Sequence, residues 1–382
     1  MRRRYKVKFT VDQQGLTDGV NWVSRSLSTR PIKTELLGIV IDATGDEVFL
    51  SGSDLETSSK AHFTADIVTK GKVLVPGKLL AEICRSLPNK PITIALDGTR
   101  VLVTSGAAKF TLPTLSIDEY PHLPELPEGT GVVASDTFAQ AVAQVAVAAG
   151  RDDSLPTLTG VHVEITEDSV TLAATDRYRL AVREFTWQPS QPGVSTTALL
   201  RGRTIAEAAK SLVGSKNVSL SIAPAVNSDR LAGFAAAGKT MTSRMLDGTF
   251  PPYRHLLDQN IISTAVVEVA PFLDSVRRVA LVTDKTVPLR LEFNGTTVSL
   301  EAGAGEEAQA TEAIDILLNG EPISIAFNPT FLSDGLQAVG TPFVQISFTG
   351  SNKPAILMGK NEATGNVVEN YRYLLMPMRY AS

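Results

Sequence analysis

The segment Gly233-Phe234-Ala235-Ala236-Ala237-Gly238-Lys239-Thr240 satisfies G-x-x-x-x-G-K-[ST] letter for letter, the spacing with which a loop and its lysine cradle the phosphates of a nucleotide. Average composition yields such a match in a chain of this length about one time in a hundred, so it calls for a structural test. The chemistry needs a buried apolar strand before the loop and a long helix after it, with the helix N-terminus aimed at the phosphates. Here the polar run Asn227-Ser228-Asp229-Arg230 precedes the loop, and Asp247-Gly248 and Phe250-Pro251-Pro252 interrupt the stretch after it, leaving less than about two helical turns. The segment reads as a turn between strands, with nucleotide hydrolysis as the competing function.

The other residues able to do chemistry are scattered. His62, His122, His162 and His255 lie far apart with none at metal-ligand spacing, and His162, alternating with Val161 and Val163, reads as a solvent-facing strand residue. Asp54 and Asp176 are candidates for turn or capping roles rather than a carboxylate pair. The single cysteine, Cys84, has no intrachain disulfide partner and no second thiol for a metal site. No catalytic residue, cofactor or metal is expected.

Bulk properties narrow the class. Of 382 residues, 43% are apolar and 20% charged, an ordinary globular balance that at this length favours two or three domains. The basic start Met1-Arg2-Arg3-Arg4 leads into no apolar signal region, so a cytoplasmic protein without membrane partners is expected. Thirty-six basic against forty acidic side chains give a net charge of −4, which argues against binding nucleic acid by saturating its phosphates. Any DNA contact must be local, weak or topological.

Internal repetition dominates the arrangement of the elements that hold these residues. Leu16, Gly38, Val48 and Asp54 recur as Phe138, Gly160, Val170 and Asp176, each 122 positions later. Ala81-Glu82 and Ser86-Leu87 return as Ala206-Glu207 and Ser211-Leu212 at an offset of 125. A third copy starts near Ala270, where Phe272, Val276 and Val279 match Phe138, Val142 and Val145; Leu332 and Asp334 stand in it where Leu80 and Glu82 stand in the first. The Pro- and Gly-rich joints at Pro121–Gly131 and Phe250–Tyr253 read as short stiff connections, giving domains 1–131, 132–262 and 263–382.

Within a copy two periods alternate. Tyr5, Val7, Phe9 and Val11 carry the period of a half-buried strand; Leu16, Val20, Val23 and Leu27 then share a helical face over 16–27, with Pro31 soon after. Strands are expected at 36–41, 48–52, 72–75, 91–96, 100–104 and 108–112, with a second helix at 77–87 before Pro88. Val142, Val145 and the alanines of 138–149 predict a helix pressed on a sheet and stopped by Gly150. Each copy is read as two helices and roughly eight strands, an α+β unit with antiparallel sheets.

Lys8-Phe9-Thr10-Val11, Ile83-Cys84-Arg85-Ser86-Leu87-Pro88, Ala174-Thr175-Asp176-Arg177-Tyr178-Arg179-Leu180-Ala181-Val182 and Tyr373-Leu374-Leu375-Met376-Pro377-Met378-Arg379 together resemble the bacterial DNA polymerase III beta subunits, the beta sliding clamps. The resemblance runs from about residue 6 to residue 380. It implies the DNA clamp fold, three repeated domains per chain, with two chains meeting head to tail in a ring around duplex DNA. If each domain turns the chain by about a sixth of a circle, two subunits close the ring. The implied function is that of an accessory processivity factor rather than an enzyme. Its implied partners are a second copy, double-stranded DNA, the polymerase III alpha subunit, the clamp loader and other proteins bearing the clamp motif.

Specific residues carry over by position. Phe110 and Leu112 on one side and Leu281 and Val282 on the other are the implied apolar centre of the dimer contact, with ordinary core roles as the alternative. Arg30 matches a DNA-contacting arginine; Arg25, Lys78, Arg85, Arg151, Arg203, Lys210, Arg277 and Arg278 are further DNA candidates that also read as solvated surface charges. The implied peptide pocket comprises Leu158, Thr175, Arg177, Tyr178, Leu180, Pro251, Leu256, Leu374, Met376, Pro377, Met378 and Arg379. Its aliphatic and thioether walls suit a short peptide with a glutamine and a Leu-Phe pair, and Thr175 and Arg379 would orient the peptide backbone. Met376 and Met378 have edge-strand core as their alternative. Three features depart from the family: Arg177 and Tyr178 stand where glycine and histidine are common, Leu256 where valine is common, and Tyr380-Ala381-Ser382 extend the chain. An altered partner preference is expected from them.

Overall fold

The computed structural model describes residues 6–222, 230–282, 287–303 and 308–379; Tyr5, Asn227-Ser228-Asp229 and the Tyr380-Ala381-Ser382 tail lie outside them. Among the described residues one order of elements occurs three times: strand, helix, five strands, helix, three strands. The first pass comprises β1 (Val7–Val11), α1 (Gln13–Ser24), β2 (Gly38–Asp42), β3 (Glu47–Ser53), β4 (Thr57–Thr64), β5 (Asp66–Thr69), β6 (Lys72–Pro76), α2 (Gly77–Ser86), β7 (Ile92–Asp97), β8 (Arg100–Ser105) and β9 (Ala108–Pro113). The second comprises β10 (Gly131–Ala134), α3 (Ser135–Ala146), β11 (Gly160–Thr166), β12 (Ser169–Thr175), β13 (Arg179–Thr186), β14 (Gln188–Pro189), β15 (Ser195–Arg201), α4 (Gly202–Leu212), β16 (Asn217–Ile222), β17 (Leu231–Ala236) and β18 (Lys239–Arg244). The third comprises β19 (Ser263–Glu268), α5 (Val269–Val279), β20 (Leu289–Asn294), β21 (Thr297–Ala302), β22 (Ala310–Asp315), β23 (Leu317–Gly320), β24 (Ile323–Phe327), α6 (Pro329–Val339), β25 (Phe343–Phe348), β26 (Ala355–Lys360) and β27 (Val367–Leu375).

Two compact units hold these elements, residues 1–136, 188–192 and 207–245 in one and 137–187, 193–206 and 246–382 in the other. The first unit contains a five-stranded sheet, β5-β1-β7-β8-β9, and a nine-stranded sheet, β14-β10-β16-β17-β18-β4-β3-β2-β6. In the second, a nine-stranded sheet β15-β11-β12-β13-β27-β26-β25-β19-β23 accompanies a four-stranded sheet β22-β21-β20-β24. Every strand pairing is antiparallel, and the fold is α+β.

The strand orders obey one rule. In each pass, strands one, five, seven, eight and nine form one block, and strands two, three, four and six form another. Both nine-stranded sheets arise where the fourth strand of one pass meets the ninth strand of the next: β4 with β18, and β13 with β27. The ninth strand of the first pass, β9, and the fourth of the third, β22, remain sheet edges.

Several boundaries differ from the sequence expectation. Helix α1 begins at Gln13 because the Asp12 carboxylate caps it, accepting from the Gly15 N–H at 2.7 Å. It ends at Ser24, ahead of the expected 27 and well before Pro31, although Leu27 is buried. Helix α3 stops at Ala146, so Gly150 is not its terminator; the Gly150 N–H instead donates to the Leu158 carbonyl at 2.7 Å. Strand β4 was hidden in the sequence by its polar run Thr57-Ser58-Ser59-Lys60, whose serines are buried at a strand junction. With β5 it brings each pass to nine strands.

Helices pack on the sheets through close backbone approach. A side chain at Gly335 of α6 would strike the ring of Tyr373 on β27, with its Cβ only 2.5 Å from the nearest ring carbon. In the first unit a Cβ at Gly77 of α2 would lie 2.8 Å from Ile39 of β2. These contacts put Leu16, Val20, Val23, Leu80, Cys84, Phe272, Val276, Leu332 and Leu336 in the core.

Candidate functional site

The turn from β12 into β13 is built by its own side chains. The Asp176 carboxylate accepts the N–H groups of Tyr178 and Arg179, each at 3.1 Å, the turn role expected for it. The Thr175 hydroxyl donates to the Arg179 carbonyl at 2.7 Å and accepts the Arg177 N–H at 3.2 Å, so its proton serves the turn rather than standing free to orient a ligand. This closure forces Arg177 to φ 80, the left-handed region that strains an ordinary side chain. Arg177 and Tyr178 consequently project into solvent.

Arg179, next in sequence, turns inward. Its side chain is only 5% exposed and joins Asp176 at 2.9 Å and Asp334 of α6 at 2.6 Å; it also reaches the Tyr373 hydroxyl at 3.4 Å and covers the Phe331 ring at 4.3 Å. Burial alone would lower its pKa, but the Tyr373 hydroxyl and the two carboxylates outweigh that and hold it above the ordinary arginine value. Burial also raises the Tyr373 phenol, whose hydroxyl donates to the Phe331 carbonyl at 2.8 Å. Tyr178 stacks on Phe331, ring centres 6.2 Å apart. A cavity of about 400 Å³ opens beside this assembly, lined by Arg151, Leu155 and Leu158, by Asp176 to Arg179, and by Thr330, Phe331 and Asp334.

The opposite face of β13 is apolar. Leu180 pairs in register with Leu374 of β27, and Leu374 with Ile356 of β26; with Ala173, Leu199, Phe250 and Tyr253 they form a cluster against which Val182, Leu246, Leu256, Leu257 and Met358 pack. Below β27 the chain is pinned, the Met376 N–H donating to the Tyr178 carbonyl and the Met378 N–H to the Ala326 carbonyl, both at 2.8 Å.

The expected pocket residues therefore separate into neighbouring places. Leu158, Arg177 and Tyr178 line the cavity; Leu180, Leu256 and Leu374 belong to the apolar cluster; Thr175 closes the turn between them. Met376 is exposed and Pro377 and Met378 half-buried beyond the end of β27, which sets aside an edge-strand core role for the two methionines. Pro251 and Arg379 are exposed and line neither place. Sequence reasoning missed Phe331, Ile356, Tyr253 and the inward role of Arg179. His162 is a correction: it is half-buried, stacked on Phe250 with ring centres 5.2 Å apart, and burial lowers its pKa.

Other expected sites fare unevenly. Leu112 is fully buried because on β9 it faces inward, which fits the ordinary core role that stood as its alternative. Phe110 is half-buried on that edge strand, Leu281 is 83% exposed and Val282 half-buried. All nine DNA candidates are exposed. Lys78 and Arg85 lie on α2, Arg203 and Lys210 on α4, and Arg277 and Arg278 on α5, whereas α1, α3 and α6 carry no basic residue. Arg25 comes just after α1 and binds Glu207 at 3.3 Å and the Ser211 hydroxyl; Arg277 and Arg278 face Asp274 and Glu312. Arg151 lies beyond the end of α3 and lines the cavity instead.

The phosphate-loop pattern forms a hairpin. Gly233–Ala236 lie in β17, Lys239 and Thr240 in β18, and Ala237 and Gly238 turn between them at φ 47 and 74. No helix comes after the loop, so the amide array that holds phosphate is not built. Among the described residues no group of three His, Cys, Asp or Glu side chains could hold a metal. Cys84 is buried, which pushes its thiol up to about 12.

Family models of the DNA polymerase III beta subunit match in consecutive order: the N-terminal domain at residues 7–124, the central domain at 132–252 and the C-terminal domain at 254–379. The chain belongs to the beta sliding clamp family. A beta sliding clamp from Streptomyces coelicolor is 47% identical over 98% of this chain and 99% of its own length. The beta sliding clamp homolog GriR of Streptomyces muensis is 40% identical over 98% of this chain and all of its own. The crystal structure of the DNA polymerase sliding clamp from Bacillus subtilis, 25% identical, superposes with a TM-score of 0.88 over 98% of this chain and all of that one. As a clamp, the chain is an accessory processivity subunit of DNA replication rather than a catalyst.

Proposed function

We propose that two copies close head to tail around duplex DNA and tether the polymerase through peptides that dock on the β13–β27 surface. The carrying observation is the pair of unmatched strands. Twice within the chain a fourth strand joins a ninth strand to make a nine-stranded sheet; the same rule applied to β22 and β9 joins two copies into a third sheet of that size. Side-chain contacts at the internal junctions support the analogy: the Trp22 indole N–H donates to the Thr240 carbonyl of β18, and the Tyr371 hydroxyl of β27 to the Gln144 carbonyl of α3. On that rule Leu281 and Val282, just after α5, meet Phe110 on β9 of the second copy, with Leu112 supporting the strand from beneath.

The three-fold recurrence of elements supports repeat domains at 1–131, 132–262 and 263–382. Enclosure suits a net charge of −4, because a ring needs no deep phosphate wells and slides more freely without them. The exposed cations Lys78, Arg85, Arg203, Lys210, Arg277 and Arg278, together with Arg30, are the DNA-facing set; Arg151 belongs with the peptide site. Leu158, Arg177, Tyr178, Leu180, Pro251, Leu256, Leu374, Met376, Met378 and Arg379 receive the clamp-motif peptides of the polymerase alpha subunit, the clamp loader and other partners in the cytoplasm.

The test combines size and topology. Sedimentation should give a dimer that Phe110→Asp or Leu281→Asp converts to folded monomer. Protein loaded on nicked circular DNA should be retained and should run off after linearisation. A wild-type monomer, or equal retention before and after the cut, sinks the proposal.

A further inference from the structure

The apolar cluster does not end where the connecting segment covers it. Cross-strand partners share one face of a sheet, and the register extends the row Leu180–Leu374–Ile356 to Ser347 of β25 and Thr264 of β19. The segment from Leu246 to Leu257 covers the first part of this row. Beyond Leu257 it stands off from the sheet, and a groove of about 740 Å³ opens between them, within the range of sites that enclose ligands.

Ile356 and Met358 form a floor shared with the cluster, and Leu257 is the shared wall. The far rim is Ile261, 45% exposed, with Ile262 beside it at 57%. Gln345, Thr264 and Ser347 offer donors and acceptors along the floor. Arg372, set in register beside Val182, is half-buried in the groove, and its guanidinium has no hydrogen-bond or ion-pair partner among the described residues. Asp258 and Glu369 border the same groove, so one carboxylate at Arg372 is accepted and a run of acids is repelled.

We infer that this groove is a second subsite of the peptide-docking surface, taking the extended residues that flank a partner's anchor motif and pairing one acidic side chain with Arg372. Three strand spacings separate Leu374 from Thr264, roughly 14 Å, which about four extended residues span. The inference rests on the docking reading above, through the apolar floor common to both places. A flexible tether that lay here would gain contact area and one charge-assisted bond without altering the anchor.

The experiment uses the full-length protein and three labelled peptides: an anchor with a glutamine and a Leu-Phe pair, and the same anchor extended by four residues including one glutamate on either its N-terminal or its C-terminal side. Anisotropy should show one extended peptide binding about tenfold tighter than the anchor, and Arg372→Ala should erase that gain while leaving the anchor's affinity unchanged. Methyl-labelled methionine gives an independent readout, with the Met358 resonance shifting only for the extension that gains affinity and Met376 shifting for all three. Two extended peptides no tighter than the anchor, or Arg372→Ala weakening the anchor equally, would overturn the groove. Failure of the anchor to bind counts against the docking reading alone; the four-residue extension at millimolar concentration then decides the groove by whether the Met358 resonance moves.

Discussion

The two strand junctions inside the chain share a backbone plan and differ in what they present. At β4–β18, Ser58 pairs with Thr242; at β13–β27 the corresponding pair is Leu180 with Leu374. Thr57, which pairs with Ser243, corresponds to Arg179, which pairs with Leu375. Even the turn leading in is the same: Asp54 and Asp176 each accept two backbone N–H groups, and Leu55 and Arg177 sit at φ 78 and 80. The first joint is polar, lined by the buried Ser58, Ser59, Thr242 and Ser243. The second carries an apolar face, a buried cation and a cavity. Strand pairing is what the proposed ring would draw on; the side chains exchanged at the second joint are what the proposed docking would draw on.

Exchanging features between the joints tests this. The largest effect is expected from Arg179→Met, which strands Asp176 and Asp334 beside a missing cation and should cost about 3–5 kcal/mol in urea unfolding; a loss below about 1 kcal/mol would mean the ion cluster is incidental. Next comes Leu374→Thr, which gives the second joint the residue of the first. It removes buried methyl groups from the cluster, should cost about 2–4 kcal/mol, and should abolish binding of a Leu-Phe anchor peptide without changing the oligomeric state. The smallest effect is set by the shared left-handed residue. Leu55→Gly and Arg177→Gly should each stabilise the fold by up to about 1 kcal/mol, but only the second should alter peptide affinity. Equal peptide binding by wild type and Arg177→Gly would remove Arg177 from the specificity of the site.

The sequence made the repeat legible because an offset of 122 carries Gly38 to Gly160 and Asp54 to Asp176, and such residues mark turns and close contacts that survive divergence. It hid β4 because a strand buried at a polar joint has no hydrophobic alternation to read. The expected pocket residues of Thr175–Leu180 and Leu374–Arg379 were visible as motifs, but which face each occupies depended on register: Arg179 and Leu180 are neighbours in sequence and point to opposite sides of β13. Leu112 was left between interface and core for the same reason, since position along an edge strand does not reveal which side chains turn inward. The Gly-Lys-Thr hairpin marks the converse limit, a letter pattern whose chemistry requires a helix that the chain does not supply.

If the sheet edges β9 and β22 pair between copies as proposed, they have a consequence for how many copies assemble. An edge strand selects its complement and is blind to the size of the circle; that number is set by the angle accumulated between one edge and the other along a single polypeptide. On that proposal, lengthening or stiffening the segment at 246–262 should change the angle while leaving both edges intact. On the head-to-tail reading the outcome would be wider closed assemblies or open helical filaments in place of pairs, so a connecting segment that belongs to neither edge would act as the gauge of the diameter.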